Sequence, residues 1–234
     1  MVNTKKYKTV FFDLDHTLWD FETNSRETLE ELYDSNQLQK RGVTSLNAFQ
    51  DIFAEVNSDL WSQYDKGLIK GEVIRAERFK RILAPFEITD EKLIATLSHE
   101  YLFACPRKGA LLPGAIDTLE YLNAKYSLSL ITNGFDEVQH MKLASGKIAH
   151  YFEHVITSQQ AGYKKPAREI FDYALNLHAA RPNEAVMIGD NLETDIAGAL
   201  NASVDAVFYN PKSINHDQNP HHEIINLNEL QTIL

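Results

Sequence analysis

The segment FFDLDHTLWD, residues 11–20, sets Asp13 and Asp15 one residue apart where an apolar run ends. On an extended strand such positions face the same side, so the two carboxylates converge if the strand persists; if it unwinds, Asp15 swings away. Three other segments carry polar groups behind apolar runs: Thr132, Asn133 and Gly134 in ITNG, Lys164 and Lys165 in YKKP, and Gly189, Asp190 and Asp195 in GDNLETD. Asp13, Asp15 and Asp190 together suit a hard, oxygen-seeking cation such as Mg²⁺, which prefers few carboxylates completed by water and phosphate oxygens. Lys165 adds a second local cation, and Thr132 and Asn133, with neighbouring backbone N–H groups, can hold the remaining phosphate oxygens.

These residues need a scaffold that brings them to one place. Short β-rich runs occur at 9–12, 128–132, 155–157, 185–188 and 206–209, with a weaker one at 223–225. Helical patterns separate them from the second run onward. One spans 115–125, with Ile116, Leu119 and Leu122 on one face; another spans 167–177, with Ile170, Phe171, Ala174 and Leu175. The alternation predicts an α/β fold, a parallel sheet with helices on both faces and right-handed crossovers. Ligands of such sheets bind beyond the carboxyl ends of the strands, and there the polar candidates fall. Residues 20–104 break the pattern and read as about four helices, at 24–38, 45–64, 72–83 and 89–103, the last with Thr89 as N-cap. The expected division is a core of 1–19 and 105–234 with a helical domain of 20–104 inserted, the chain returning through CPRKGALLPGA.

With 234 residues and 44% apolar content, the chain can build a real core. Its 33 acidic residues outnumber 23 basic ones, for a formal charge of -10 without blocks of like charge, which disfavours a nucleic-acid surface. An anionic substrate therefore needs local cations. The lone Cys105 excludes an intrachain disulfide and reads as a small core residue, in keeping with a reducing compartment. Early positive charge in MVNTKKYKTVFFDL is followed by an apolar stretch of only Val10 to Phe12, too short for a signal peptide, and nothing else reaches membrane-spanning length. A cytoplasmic monomer or small homo-oligomer with no nucleic-acid polymer or membrane partner is expected.

Taken in order, DLDHT, ITNG, KKP and GDNLETD resemble the four motifs of the haloacid dehalogenase superfamily of Mg²⁺-dependent phosphotransferases. The likeness covers residues 9–18 and 110–210, and 20–104 resembles that superfamily's four-helix cap. It implies a Rossmann-like core, Mg²⁺ as cofactor, a small phosphate ester as substrate, and Asp13 as the nucleophile that forms an aspartyl phosphate. It implies that Asp15 protonates the departing oxygen and then takes a proton from water, so Asp15 should have a raised pKa while Asp13 stays ionised. The same resemblance has the Asp13 carboxylate, the Asp15 backbone carbonyl and Asp190 bind the metal, with Asp195 behind them fixing Lys165. Thr132, Asn133, Gly134 and Lys165 would meet the phosphoryl oxygens, and Lys164 would be solvated.

Within the superfamily, Asp15 points to phosphate rather than halide, since displacing halide needs no proton donor. LWSQYDKG, ITNGF and KKPAREIFDYAL resemble the pyrimidine nucleoside 5′-monophosphate phosphatases, a house-cleaning nucleotidase branch. Alternatives are a sugar-phosphate phosphatase, a β-phosphoglucomutase-like phosphomutase, a phosphonatase using a cap lysine, and an inactive scaffold protein of the same fold. Trp19, Phe21 and Phe135 are candidates to touch the leaving group, as is the 64–72 loop with Lys66, Gly67 and Lys70. The Phe53, Trp61 and Tyr64 stripe reads as helical core. The nine histidines show no metal-ligand spacing, and His16 and His221-His222 read as exposed. Asp20 reads as a brace for the chain entering the insert, and Gly134 and Gly189 as openings for the backbone to approach phosphate.

Overall fold

The computed structural model describes residues 7–234; Lys5 and Lys6 of the charged N-terminal stretch lie outside the described residues. Two compact units make up the chain, one running to Phe21 and resuming at Gly109–Leu234, the other spanning Glu22–Lys108. Just before the first crossing point the backbone is stapled to the segment that follows the second. Leu112 N–H donates to the Leu18 carbonyl and Asp20 N–H to that of Ala110.

The helical unit is built from α1 (Phe21–Ser35), α2 (Leu46–Asp65), α3 (Gly71–Leu83) and α4 (Glu91–Ala104). Helix α1 stops earlier than its apolar pattern, because Gln37 turns left-handed at φ 51 and the Asn36 side chain caps the Leu32 carbonyl. Ser45 caps α2 through Ala48 N–H. Asp90, not Thr89, caps α4: its Oδ1 accepts from Lys92 and Leu93 N–H at 3.0 and 3.2 Å, and an ionised acceptor suits a helix N-terminus. The unit's core is aromatic. Phe53 lies 5.0 Å from Tyr101 and 6.2 Å from Phe79, ring to ring, and Phe49 joins the same group. Trp61 and Tyr64 are only half-buried at the end of that stripe. Cys105 is buried and reduced, its thiol donating to the Tyr101 hydroxyl.

The other unit is an α/β core. Strands β1 (Thr9–Phe12), β2 (Ser127–Thr132), β3 (His154–Thr157), β4 (Ala185–Gly189), β5 (Asp205–Tyr209) and β6 (His222–Ile224) form one parallel sheet in the order β3-β2-β1-β4-β5-β6. Helices α5 (Ala115–Asn123), α6 (Asp136–Ser145), α7 (Ser158–Ala161), α8 (Arg168–Leu177), α9 (Ala197–Asn201) and α10 (Leu230–Ile233) accompany it. β1 is central and buried on both faces, which is why TVFF shows no polar alternation beyond Thr9. Phe11, Ile131, Ile156, Met187 and Phe208 pack on Ile170, Phe171, Ala174 and Leu175 of α8, each such apolar side chain contributing about 1.5–3 kcal/mol on burial. Ile116 does not join a core face; it is exposed, because Ala115, Thr118, Leu119 and Leu122 form the inward stripe of α5.

The order also locates the site. From β1 the chain moves to β2 and β3 on one side, then returns to β4 on the other. The connections leaving β1 and β4 therefore diverge, opening a crevice beyond their carboxyl ends.

Candidate active site

Asp13 is the first residue beyond β1, held by donation of its N–H to the Ile188 carbonyl of β4 at 2.9 Å. The strand then unwinds. Leu18 and Trp19 N–H groups both donate to the Leu14 carbonyl, and His16 adopts a left-handed φ of 62. Of the two geometries open to the Asp13–Asp15 pair, the separated one is adopted. The turn also settles Trp19, which is 0% exposed and packed under the loop, so it does not present itself to a ligand; Phe21 and Phe135 are half-buried. His16, expected in solvent, is half-buried with its ring 4.8 Å from that of Phe21.

The Asp13 carboxylate meets a buried ammonium. Lys165 Nζ donates to Asp13 Oδ1 and lies 2.6 Å from Asp195 Oδ1, with its side chain 2% exposed. Asp195 is fixed in turn by Asn191 N–H on Oδ2 and the Thr194 hydroxyl on Oδ1. Ligand oxygens of Asp13, Asp190 and Asp195 lie within 4.8 Å of one another, and the Thr17 hydroxyl donates to Asp190 Oδ1 at 2.9 Å. Burial pushes the Asp13 carboxyl well up, against the pull of Lys165 and with the push of Asp195 and Asp190. Asp190 is pushed up to about 6, by burial first and by Asp195 next. On Lys165, burial works to lower the pKa, but Asp13 and Asp195 outweigh it and raise it.

Asp15 lies in a different environment. Lys142 Nζ sits 2.6 and 2.7 Å from its two oxygens, and Gln139 Nε2 donates to Oδ2 at 3.1 Å. Burial raises its pKa, yet the Lys142 charge and the hydrogen bonds outweigh that, so the carboxyl is lowered. The directions are the reverse of those expected: Asp15 is lowered, because Lys142 outweighs its burial, and Asp13 is raised, because burial and the neighbouring Asp195 and Asp190 outweigh the Lys165 it shares with that cluster.

Lys142 and Gln139 have no place in the sequence expectations. Their signal is two polar residues three apart on α6, the helix that follows ITNG, and both are buried although long polar side chains usually stay in water. Thr17, two residues past Asp15, is the third addition.

The ITNG turn also holds the site together from within. The Asn133 amide clamps the backbone of Lys165, accepting from its N–H at 2.8 Å and donating to its carbonyl at 3.0 Å, so this side chain builds the site. Thr132 Oγ1 accepts from Gly134 N–H and from Gln139 Nε2, both at 3.1 Å. A Cβ on Gly134 would lie 1.5 Å from Gln139 Nε2, and one on Gly189 2.2 Å from Asp195 Oδ2. Both glycines thus make room for a neighbouring side chain that positions the site. Lys164, expected in solvent, is half-buried.

Three clustered carboxylates against one buried ammonium leave negative charge uncompensated, and the donors are oxygens; this set fits a hard divalent cation.

A sequence model of haloacid dehalogenase-like hydrolases matches residues 7–203. The chain belongs to the haloacid dehalogenase-like hydrolases. Other members of the family resemble it along nearly their whole length. Pyrimidine 5′-nucleotidase PynA of Streptococcus pneumoniae is 32% identical over 96% of this chain and 93% of its own. Pyrimidine 5′-nucleotidase YjjG of Escherichia coli is 29% identical over 98% of each. The crystal structure of the putative HAD-hydrolase YfnB of Bacillus subtilis, bound to magnesium, superposes with a TM-score of 0.87 at 26% identity, over 98% of this chain and 99% of that one. Like other haloacid dehalogenase-like hydrolases, this enzyme combines a parallel sheet with a helical insert after β1, and among its described residues no helix is long and apolar enough to cross a membrane.

Proposed function

We propose that this hydrolase cleaves small phosphate monoesters, pyrimidine nucleoside 5′-monophosphates foremost, through an aspartyl phosphate on Asp13. The observation that carries the reading is the buried pair of Asp13 and Lys165 at the carboxyl end of the central strand, beside Asp190 and Asp195. A carboxylate held in a cleft beside a cation is suited to attack phosphorus, and the nucleotidases resembling this chain support the substrate class.

In the first step an Asp13 oxygen bonds to phosphorus as the bond to the leaving alcohol breaks. Asp15 must carry a proton for this step, against the pull of Lys142, and gives it to the departing oxygen. Water then bonds to phosphorus, Asp15 takes its proton, and the Asp13–phosphorus bond breaks, so that both aspartates return to their starting forms. The ion pair with Lys142 favours the ionised Asp15 from which this second step begins. Lys165 and the Thr132 hydroxyl stabilise charge on the transferring oxygens. Asp13 and Asp190, with the Asp15 carbonyl, would hold Mg²⁺, and Asp195 would keep Lys165 in place. When bound, Mg²⁺ neutralises charge on the phosphoryl oxygens and orients them.

A panel of phosphomonoesters assayed with Mg²⁺ tests the reading. Deoxyuridine, thymidine and uridine 5′-monophosphates should be turned over with the highest kcat/KM. Sugar phosphates turned over far better would refute the nucleotide assignment, and phosphate returned to another sugar position without release of inorganic phosphate would reveal a mutase.

A further inference from the structure

Away from the edge that gathers Asp13 and Lys165, two imidazoles and a carboxylate converge at the amino end of β3. His154 opens that strand, Glu153 precedes it, and His178 follows the last residue of α8. Their ligand atoms, one from each residue, lie within 4.8 Å of one another, and His178 Nδ1 is 3.7 Å from Glu153 Oε2. The two rings meet edge to face with centroids 5.1 Å apart.

The sheet holds this group in register. Glu153 N–H donates to the Leu128 carbonyl at 2.8 Å, and His154 N–H to Ser129 Oγ at 3.2 Å, so both residues are fixed to β2. Ser129 Oγ also lies 2.8 Å from His178 Nε2, and the Ser127 hydroxyl donates to Glu153 Oε1. What remains turned toward the centre is His178 Nδ1, Glu153 Oε2 and the His154 ring, whose nitrogens make no hydrogen bond among the described residues.

Two ordinary roles do not account for the arrangement. Ser129, His178 and Glu153 have the residue types of a hydrolytic triad, but Ser129 is 0% exposed within β2 and no substrate reaches it. An ion pair of Glu153 with His178 needs a charged imidazole. Burial holds the His178 pKa below its usual value; Glu153 pulls it up, His154 pushes it down, and the net shift is downward. A neutral imidazole beside a second one is instead the form that binds metal.

We propose that Glu153, His154 and His178 bind a Zn²⁺ ion that ties the edge strand β3 to α8. Bonds of about 2.0–2.2 Å at tetrahedral angles put ligand atoms about 3.3–3.6 Å apart. The 3.7 Å separation is close to that already, and turning the exposed Glu153 and half-buried His154 side chains closes the rest. Donation from His178 Nε2–H to Ser129 leaves Nδ1 bare for the metal, the usual outer support of a ligating imidazole. Two nitrogens and one oxygen suit a borderline cation, whereas the all-oxygen cluster of Asp13, Asp190 and Asp195 suits a hard one. Water can take the fourth position, since Glu153 faces solvent. The role is structural: β3 ends the sheet, and an ion bound only by the folded chain stabilises that edge. Residues 154 and 178 are too far apart in the chain to form a ligand motif, and only the return of α8 brings them together.

Calorimetric titration of the chelator-treated full chain with Zn²⁺ tests the site, with D190N as background to weaken the oxygen cluster. D190N should bind Zn²⁺, and D190N/H154N should bind it at least about 10- to 100-fold more weakly, a loss that removing an outer partner of a ligand already causes. At about a hundredfold excess over Kd, Zn²⁺ should raise the Tm of D190N by about 5–11 °C and leave that of D190N/H154N nearly unchanged. Co²⁺ in place of Zn²⁺ should give the visible absorption of a four-coordinate site in D190N and lose it in the double variant. Absence of saturable Zn²⁺ binding by D190N overturns the proposal, as does affinity or a melting shift that H154N leaves intact. If D190N/H154N does not fold, D190N/E153Q, altered at an exposed side chain, decides: undiminished affinity overturns the site.

Discussion

Replacing Lys165 with Met removes the cation shared by Asp13 and Asp195 and leaves a similar volume behind. At the 2.6 Å contact with Asp195, one ammonium–carboxylate attraction is worth roughly 6 kcal/mol at an effective dielectric of 20, before desolvation is subtracted. Burying an ammonium that is 2% exposed costs several kcal/mol, so the net loss on breaking such a pair is about 3–5 kcal/mol. For a chain of this size that corresponds to a Tm about 6–20 °C lower. The loss should depend on pH with a definite sign. Asp13 and Asp190 already have raised folded-state pKa values. Without Lys165 the Asp13 value rises further, so the folded variant retains a proton that the unfolded chain has released. Stability then falls as pH rises from the unfolded carboxyl range toward neutrality. Thermal melts of wild type and K165M in EDTA at pH 5 and pH 7.5 measure this, and the gap should be wider at pH 7.5. Added Mg²⁺ should narrow it by returning positive charge to the cluster. A Tm change below about 2 °C at both pH values, or an equal loss at the two, would refute the reasoning. Turnover by K165M should drop by at least about 10²-fold, as on removing one preorganised charge-stabilising donor.

Asp13→Asn should abolish turnover of every phosphate ester, and substantial residual activity would sink the mechanism. Asp15→Asn should reduce turnover of nucleotides by about 10²- to 10⁴-fold yet spare phospho-enzyme formation from p-nitrophenyl phosphate, whose leaving group needs no proton; equal losses in that step count against Asp15 as the acid. Wild type in EDTA should lose thermal stability as pH rises through about 6, because Asp190 is pushed up to about 6 when folded and releases its proton lower when unfolded; Mg²⁺ should flatten the profile, and a flat profile in EDTA contradicts the assignment. Gly189→Ala places a Cβ 2.2 Å from Asp195 Oδ2, so it should cost about 1–3 kcal/mol by denaturant titration and lower kcat by displacing Lys165's partner; wild-type values would show that the cluster can shift.

The strands were legible because each is a short apolar run punctuated by turn residues, and a run buried on both faces cannot be mistaken for solvent-exposed chain. Thr9–Phe12 and Ala185–Gly189 differ from the sequence reading by at most one residue. Asp13, Lys165, Asp190 and Asp195 were legible as a set because each follows such a run, and a parallel sheet gathers those ends at one edge. Helix termini were less legible: Thr89 and Asp90 can both cap, and only the observed backbone shows which oxygen faces the Lys92 and Leu93 N–H groups.

The sequence by itself determined the α/β core, the helical insert and the edge of the sheet where carboxylates and lysine meet, since periodicity and order along the chain suffice for these. Tertiary structure alone decided which carboxyl of that edge is pushed up and which down. Asp13 sits high because burial, Asp195 and Asp190 outweigh Lys165, whereas Asp15 is lowered by Lys142, which stands 127 residues away along the chain. Coulomb energy depends on distance and burial, which residue order does not express. For the same reason only the fold shows that Asn133 braces Lys165 and that Trp19 is shut away.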